Sequence, residues 1–329
     1  MNTLKTKALD LKGIAWFLAI AFGLAWLIDL PIYLDGRGLN SPWAALLVLQ
    51  NFTPAVATLI VVRWISPLPH IRTATGLRRG VKGTGWGWYY LFGLFGIVGL
   101  AIAAPFVAAL LGMYPLDLAN FSGYRAALAN LPGGDQLLAL GPILVVVLVG
   151  FAFTILYALA ITPLTFGEEW GWRGYLLPQL LPLDRPPGGV LIGWRALLIS
   201  GAIWGFWHAP LSLLGGTYPL HPVLGVLMYV FLGMIFGTIL GWMRLATGSI
   251  WPAVLGHAAI DASAGAVYVF SRAGAPLDSA VVGVTGWTGW ILPLLFIAFL
   301  VVTHRLPVRN PPDVTAQVSP THTLADAES

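Results

Sequence analysis

Residues 137–183 read LLALGPILVVVLVGFAFTILYALAITPLTFGEEWGWRGYLLPQLLPL. As one helix these 47 residues would reach about 70 Å, more than twice the roughly 30 Å hydrocarbon core of a bilayer. The stretch must therefore break, and Pro163 followed by Gly167 marks the place. Beyond the break come Glu168, Glu169 and Arg173. Ionisable groups in an apolar segment cost a few kcal/mol each or more and face a polar cavity.

The rest of the chain has the same solvent. About 58% of the 329 residues are hydrophobic and only 9% are charged, against roughly 25% charged in soluble domains. Apolar stretches recur at 13–34, 43–66, 88–113, 137–166, 190–214, 223–243, 250–270 and 286–303. They predict an all-α polytopic transmembrane bundle of eight spans, with both termini on one side. Residues 1–136 hold the first membrane helices, 137–270 a core carrying the polar motifs, and 271–308 the last helix. Residues 309–329, rich in Pro, Thr, Ser, Asp and Ala, read as a disordered cytoplasmic tail. The first span lacks a cleavage site and reads as a retained anchor.

Lys and Arg accumulate on the cytoplasmic side of membrane proteins. With the N-terminus inside, that side holds Lys5, Lys7, Lys12, Arg63, Arg72, Arg78, Arg79, Lys82, Arg185, Arg195, Arg244, Arg305 and Arg309, and the other only Arg37, Arg125 and Arg272. The expectation is an integral protein of the bacterial cytoplasmic membrane with cytoplasmic termini. The same bias accounts for the net charge of +4, so no nucleic-acid partner is assigned, and the 72–82 cluster reads as contact with anionic membrane lipid. The chain has no cysteine, which excludes disulfides, thiolate metal sites and cysteine nucleophiles. Gly201 and Gly205 in span five, and Gly233, Gly237 and Gly241 in span six, are spaced for close helix packing. Packing within one bundle is preferred over a homodimer face, and the oligomeric state is left open.

Three polar motifs stand out. On a helix, Glu169 and Arg173 share a face and can pair, which leaves Glu168, about 100° away, free for chemistry. IWGFWHAPL puts His208 inside span five on the face of Trp204. GHAAIDA sets His257 and Asp261 at i and i+4 in span seven. At about 1.5 Å per residue, Glu168, His208, His257 and Asp261 lie roughly 23, 20, 14 and 20 Å from the cytoplasmic boundary. Carboxylate beside imidazole can activate water, and a second His with an acidic neighbour can steady an oxyanion. This is the inventory of a hydrolase without a protein nucleophile, acting in a cytoplasm-facing cavity. Asp29, close to the interface, reads as structural or peripheral, and His70, His221, His304 and His322 as solvated.

At these residues the sequence resembles the CPBP family of CAAX prenyl endopeptidases and bacteriocin-processing enzymes, also called the Abi family. Its ordered signature is EExxxR, FxxxH and HxxxN or HxxxD. Here it reads Glu168-Glu169-Trp-Gly-Trp-Arg173, Trp204-Gly-Phe-Trp-His208 and His257-Ala-Ala-Ile-Asp261. The resemblance implies an intramembrane endopeptidase with Glu168 and His208 activating water, and His257 and Asp261 at the oxyanion. Glu169, Arg173 and Trp204 would be supporting residues. The implied substrate is a peptide or lipidated peptide; eukaryotic members remove the last three residues of prenylated CAAX proteins.

Trp204 stands where Phe is usual, and Asp261 where Asn is common. An ionised Asp cannot donate to an oxyanion, so Asp261 must stay protonated, orient His257 or bind a metal. Zinc held by Glu168, His208, His257 and Asp261 is therefore the alternative to the favoured metal-free mechanism. Two other functions compete with peptide hydrolysis: a non-catalytic family member serving as a bacteriocin-immunity factor or membrane scaffold, and a proton-coupled transporter.

Overall fold

The computed structural model describes residues 9–184, 193–306 and 308. Lys5, Lys7, Arg185, Arg309, His322 and the 309–329 tail expected from the sequence lie outside the described residues. The described chain is all-helical, with only an isolated bridge between Leu116 and Ser271.

Among the described residues, four helices are long and apolar enough to cross a membrane. They are α1 (Leu11–Asp35), α3 (Trp86–Leu110), α4 (Ile143–Ala160) and α7 (Pro222–Thr247). A fifth crossing results if Pro42–Gln50 and α2 (Thr53–Ile65), which meet at 43°, count as one bent span. The outer surface of α4 is lipid-like: Leu144, Leu148, Phe153 and Leu156 are all exposed, the pattern of a helix whose solvent is hydrocarbon.

The remaining apolar stretches are divided. The break expected near Pro163 falls at Ile161, and Pro163 then sits in the first turn of α5 (Thr162–Glu169). A π-helix, Trp170–Leu176, continues α5 into Leu177–Leu180. Stretch 190–214, described from 193, is α6 (Trp194–Trp207) plus a short helix Ala209–Leu213. Stretch 250–270 holds α8 (Trp251–Ala262) and Ala266–Val269, and 286–303 holds α9 (Trp287–Val302). The 12 residues of α8 rise only about 18 Å, so α8 alone does not cross the hydrocarbon.

At the centre of the bundle α6 packs along α7 on the expected small-residue stripe. A Cβ on Gly201 would lie 2.4 Å from the Gly233 carbonyl oxygen, and one on Gly205 would lie 2.1 Å from that of Tyr229. The stripe is thus spent within the chain, where it lets two backbones touch. α5 is held the same way, with Gly167 against the Asn51 carbonyl and Gly171 against Pro54. The Thr165 hydroxyl donates to the Val254 carbonyl (3.1 Å) and ties α5 to α8.

Backbone contacts sort the helix ends into two faces. On one, the Ser66 hydroxyl donates to Asp10 (2.5 Å), Val81 N–H to the Thr247 carbonyl (3.0 Å) and Ile250 N–H to the Gly76 carbonyl (2.9 Å). This face carries Lys12, Arg63, Arg72, Arg78, Arg79 and Lys82. On the other, Tyr33 donates to the Pro210 carbonyl (2.6 Å), Tyr218 to that of Thr285 (2.9 Å) and Ser279 to that of Thr217 (2.7 Å). Arg244, expected as a loop cation, is instead buried in the last turns of α7. Asp29 is also buried and accepts from Gln50 (3.2 Å).

Gly205→Val should lower the melting temperature in detergent sharply, because its Cβ meets backbone rather than a side chain that can turn away. Gly99→Ala, where a Cβ meets nothing within 4 Å, should change stability by no more than about 1 kcal/mol. Equal melting of the two variants would contradict the α6–α7 packing.

Candidate active site

Glu168 and Glu169 end α5, and the π-helix that follows widens the turn on which Arg173 sits. Such turns recur at functional sites because they re-aim side chains within a helix. Arg173 Nη1 binds Glu169 Oε1 at 2.6 Å, with both side chains buried. The same oxygen meets His257 Nδ1 at 3.0 Å. A carboxylate shared with an arginine only accepts, so the His257 proton facing it is on Nδ1. His257 Nε2 is then turned toward Asp261 Oδ2, at 3.6 Å, longer than a hydrogen bond.

Glu168 is directed away from this pair. Its Oε2 accepts from Trp204 Nε1 at 2.8 Å. Trp204 is the hub of the site: Arg173 Cζ lies 4.2 Å above its ring and His257 packs edge-on at 5.0 Å. A phenylalanine at 204 could supply the ring contacts but no N–H for Glu168.

His208 differs from its expected position inside a continuous helix. Pro210 occupies the first turn of the next helix, so α6 ends at Trp207 and His208 caps it. Its Nδ1 lies 3.0 Å from the Trp204 carbonyl oxygen. A carbonyl can only accept, so Nδ1 carries the proton and Nε2 presents its lone pair.

Glu168, Trp204, His208, His257 and Asp261 line one cavity of about 320 Å³. Glu169 and Arg173 do not line it; they lie behind its wall. Three further polar side chains do: Asn51, Thr217 and Tyr229. Tyr229 stacks on His208 at 4.7 Å with the rings nearly parallel, and its hydroxyl bonds that of Thr217. A signal for Tyr229 was in the sequence: it precedes Gly233 by four residues and shares the glycine face of α7. Arg244 was also missed as a site support; it donates to the Arg173 carbonyl (3.2 Å) and to that of Ala74 (3.3 Å).

Among the described residues no three His, Asp or Glu side chains are arranged as ligands of one ion. His257 and His208 each turn Nδ1 to a protein acceptor and keep Nε2 open to the cavity, and Glu168 bonds Trp204 through one oxygen.

Residues 148–263 match the family described as type II CAAX prenyl endopeptidase Rce1-like. This segment belongs to the CPBP family. The matched segment runs from α4 through α8 and contains all three motifs of this CPBP core. The family is one of membrane proteases. Comparisons with curated proteins and with solved structures find no match.

The buried pair behind the CPBP cavity gives a direct test. Arg173→Met alone should cost about 3–5 kcal/mol by stranding Glu169. Adding Glu169→Gln should recover part of that loss in thermal unfolding. Additive losses in the double variant would show that the two side chains do not pair.

Proposed function

We propose that the chain is an intramembrane endopeptidase that hydrolyses an amide with water activated by Glu168 and His208, without a protein nucleophile. The observation that carries this reading is the lining of one cavity by Glu168, His208, His257 and Asp261, with the Glu169–Arg173 pair outside it. All eight apolar segments are proposed to enter the membrane, the shorter helices as broken spans.

Glu168 has one oxygen oriented by Trp204 and the other available to water. His208, with Nδ1–H fixed on a carbonyl, offers Nε2 as a second acceptor for the water proton. As hydroxide adds to the carbonyl carbon, negative charge grows on the substrate oxygen. His257 is proposed to act as an imidazolium: Nδ1–H is held by Glu169, and the second proton, on Nε2, is presented to that oxygen. Asp261 is proposed to orient Nε2 and, when protonated, to donate alongside it. The proton taken from water is returned to the departing amine nitrogen, which closes the cycle. No step passes through a metal.

The substrate is proposed to be a peptide or lipidated peptide at the membrane. The test uses purified full-length protein in proteoliposomes with an internally quenched peptide. Glu168→Gln should lower turnover by about 100-fold or more and leave the melting temperature unchanged; retained turnover would end the mechanism. Chelator should leave turnover intact, whereas loss reversed by zinc would contradict the metal-free route.

Trp204→Phe removes one hydrogen bond to Glu168 while keeping the aromatic wall. Hydrogen bonds to charged groups contribute about 1.5–3 kcal/mol, so kcat should fall by about tenfold or more with KM little changed. A normal kcat would show that the indole N–H does not orient the base.

A further inference from the structure

The cavity has a closed end and an open end. At the closed end Glu168 and His257 are each only 3% exposed. Behind them, toward the basic face, lie the Glu169–Arg173 pair and buried Trp172, Tyr175, Leu176 and Met243. Arg244 closes this floor by bonding the carbonyls of Arg173 and Ala74. Gly76 is part of the seal: at φ 72° it lies against the Arg244 guanidinium, where a Cβ would be 2.6 Å from Nε. Among the described residues this floor is closely packed.

Exposure rises in the other direction. Along α8, which starts at the basic face, His257 is buried, the Asp261 side chain is 49% exposed and Ala264 is exposed. Of the cavity's other rim residues, Thr217, Val284 and Thr285 belong to the loops joined by the Tyr218–Thr285 and Ser279–Thr217 hydrogen bonds, and Leu211 to the short helix Ala209–Leu213 that precedes them. Those loops form the face opposite Arg72, Arg78 and Arg79. The rise along α8 puts His257 roughly 9 Å and Asp261 roughly 15 Å from the basic face, so the catalytic groups run outward from the floor.

Lys and Arg concentrate on the cytoplasmic face of membrane proteins. We propose that the cavity takes its substrate from the extracytoplasmic side, as an internal bond of a peptide segment presented at that surface. This reverses the cytoplasm-facing cavity expected from the sequence. It rests on the peptidase reading for the reaction, but not for the direction of access.

The lining points to the same class of substrate. Among the described lining residues there is no Lys or Arg, and Arg173 is spent on Glu169. In a CAAX-type cleavage the terminal carboxylate lies three residues, at most about 11 Å, from the scissile bond. No Lys or Arg among the described lining residues is placed to pair with such a carboxylate. The site therefore suits an internal bond with an uncharged or cationic flank.

The absence of cysteine makes the test clean. Ala264→Cys and Thr285→Cys at the rim, and Arg78→Cys on the basic face, are introduced singly into the full chain. Each is treated with a membrane-impermeant biotin maleimide in sealed right-side-out and inside-out vesicles. The rim cysteines should label at least tenfold more in right-side-out vesicles, and Arg78→Cys at least tenfold more in inside-out ones. Rim labelling from the cytoplasmic side, labelling of all three from one side, or rim labelling only after detergent would each overturn the proposal. Quenched-peptide hydrolysis by the unsubstituted chain separates the two ideas. An inactive chain with outward-labelled rim loses the peptidase reading and keeps the access; an active chain with cytoplasmic rim labelling does the reverse.

Discussion

A guanidinium buried in the middle of a helix bundle is the constraint on which the rest of this site depends. Arg173 has almost no contact with its surroundings other than protein, and a charge in that position must be paired and bonded or it destabilises the fold. Glu169 neutralises it, Trp204 covers its face, and the absence of a side chain at Gly237 leaves room for Nη2. Each of these accommodations positions something else. Glu169, once fixed, holds His257. Trp204, once fixed, holds Glu168 through its indole and the His208 ring through its carbonyl. The division between the two adjacent glutamates follows: one is consumed by structure and the other is left facing the cavity.

The bundle around this network is asymmetric. The basic half is closely packed, with glycine-to-backbone contacts between α6 and α7 and Arg244 tying the π-helix to the 71–77 segment. The opposite half is built from short helices and loops, and there the cavity opens. Stability and access are thus separated along the membrane normal. A hydrolytic site needs water at one end and a fixed dielectric environment at the other, and this arrangement supplies both.

Much of this was legible in the sequence. The Glu169–Arg173 pairing followed from i,i+4 spacing, the break before Pro163 from the length of the apolar run, and the grouping of the motifs from matched depth. The use of the glycine stripe inside the bundle also followed from spacing. What was not legible depends on hydrogen-bond geometry that composition does not record. The π-turn at Trp170–Leu176 has no sequence mark beyond an ordinary helical pattern. The ending of α6 at Trp207 depends on Pro210 breaking the helix there rather than kinking it. The shortness of α8 is hidden because 250–270 is long enough for a full span and apolar apart from His257, Asp261 and small polar residues. Tyr229 was passed over because a tyrosine in an apolar span reads as packing, although its place in the glycine stripe set it against α6. The direction in which the cavity opens required the contacts between loops far apart in sequence.

The division of labour between the two glutamates is the central claim, and a side-chain-resolution density map of the full chain in lipid nanodiscs tests it most directly. The account predicts the Glu169 carboxylate between Arg173 and His257, with Glu168 bonded to the Trp204 indole and facing the cavity. A map with Arg173 paired to Glu168, or with Glu169 facing the cavity, would contradict it.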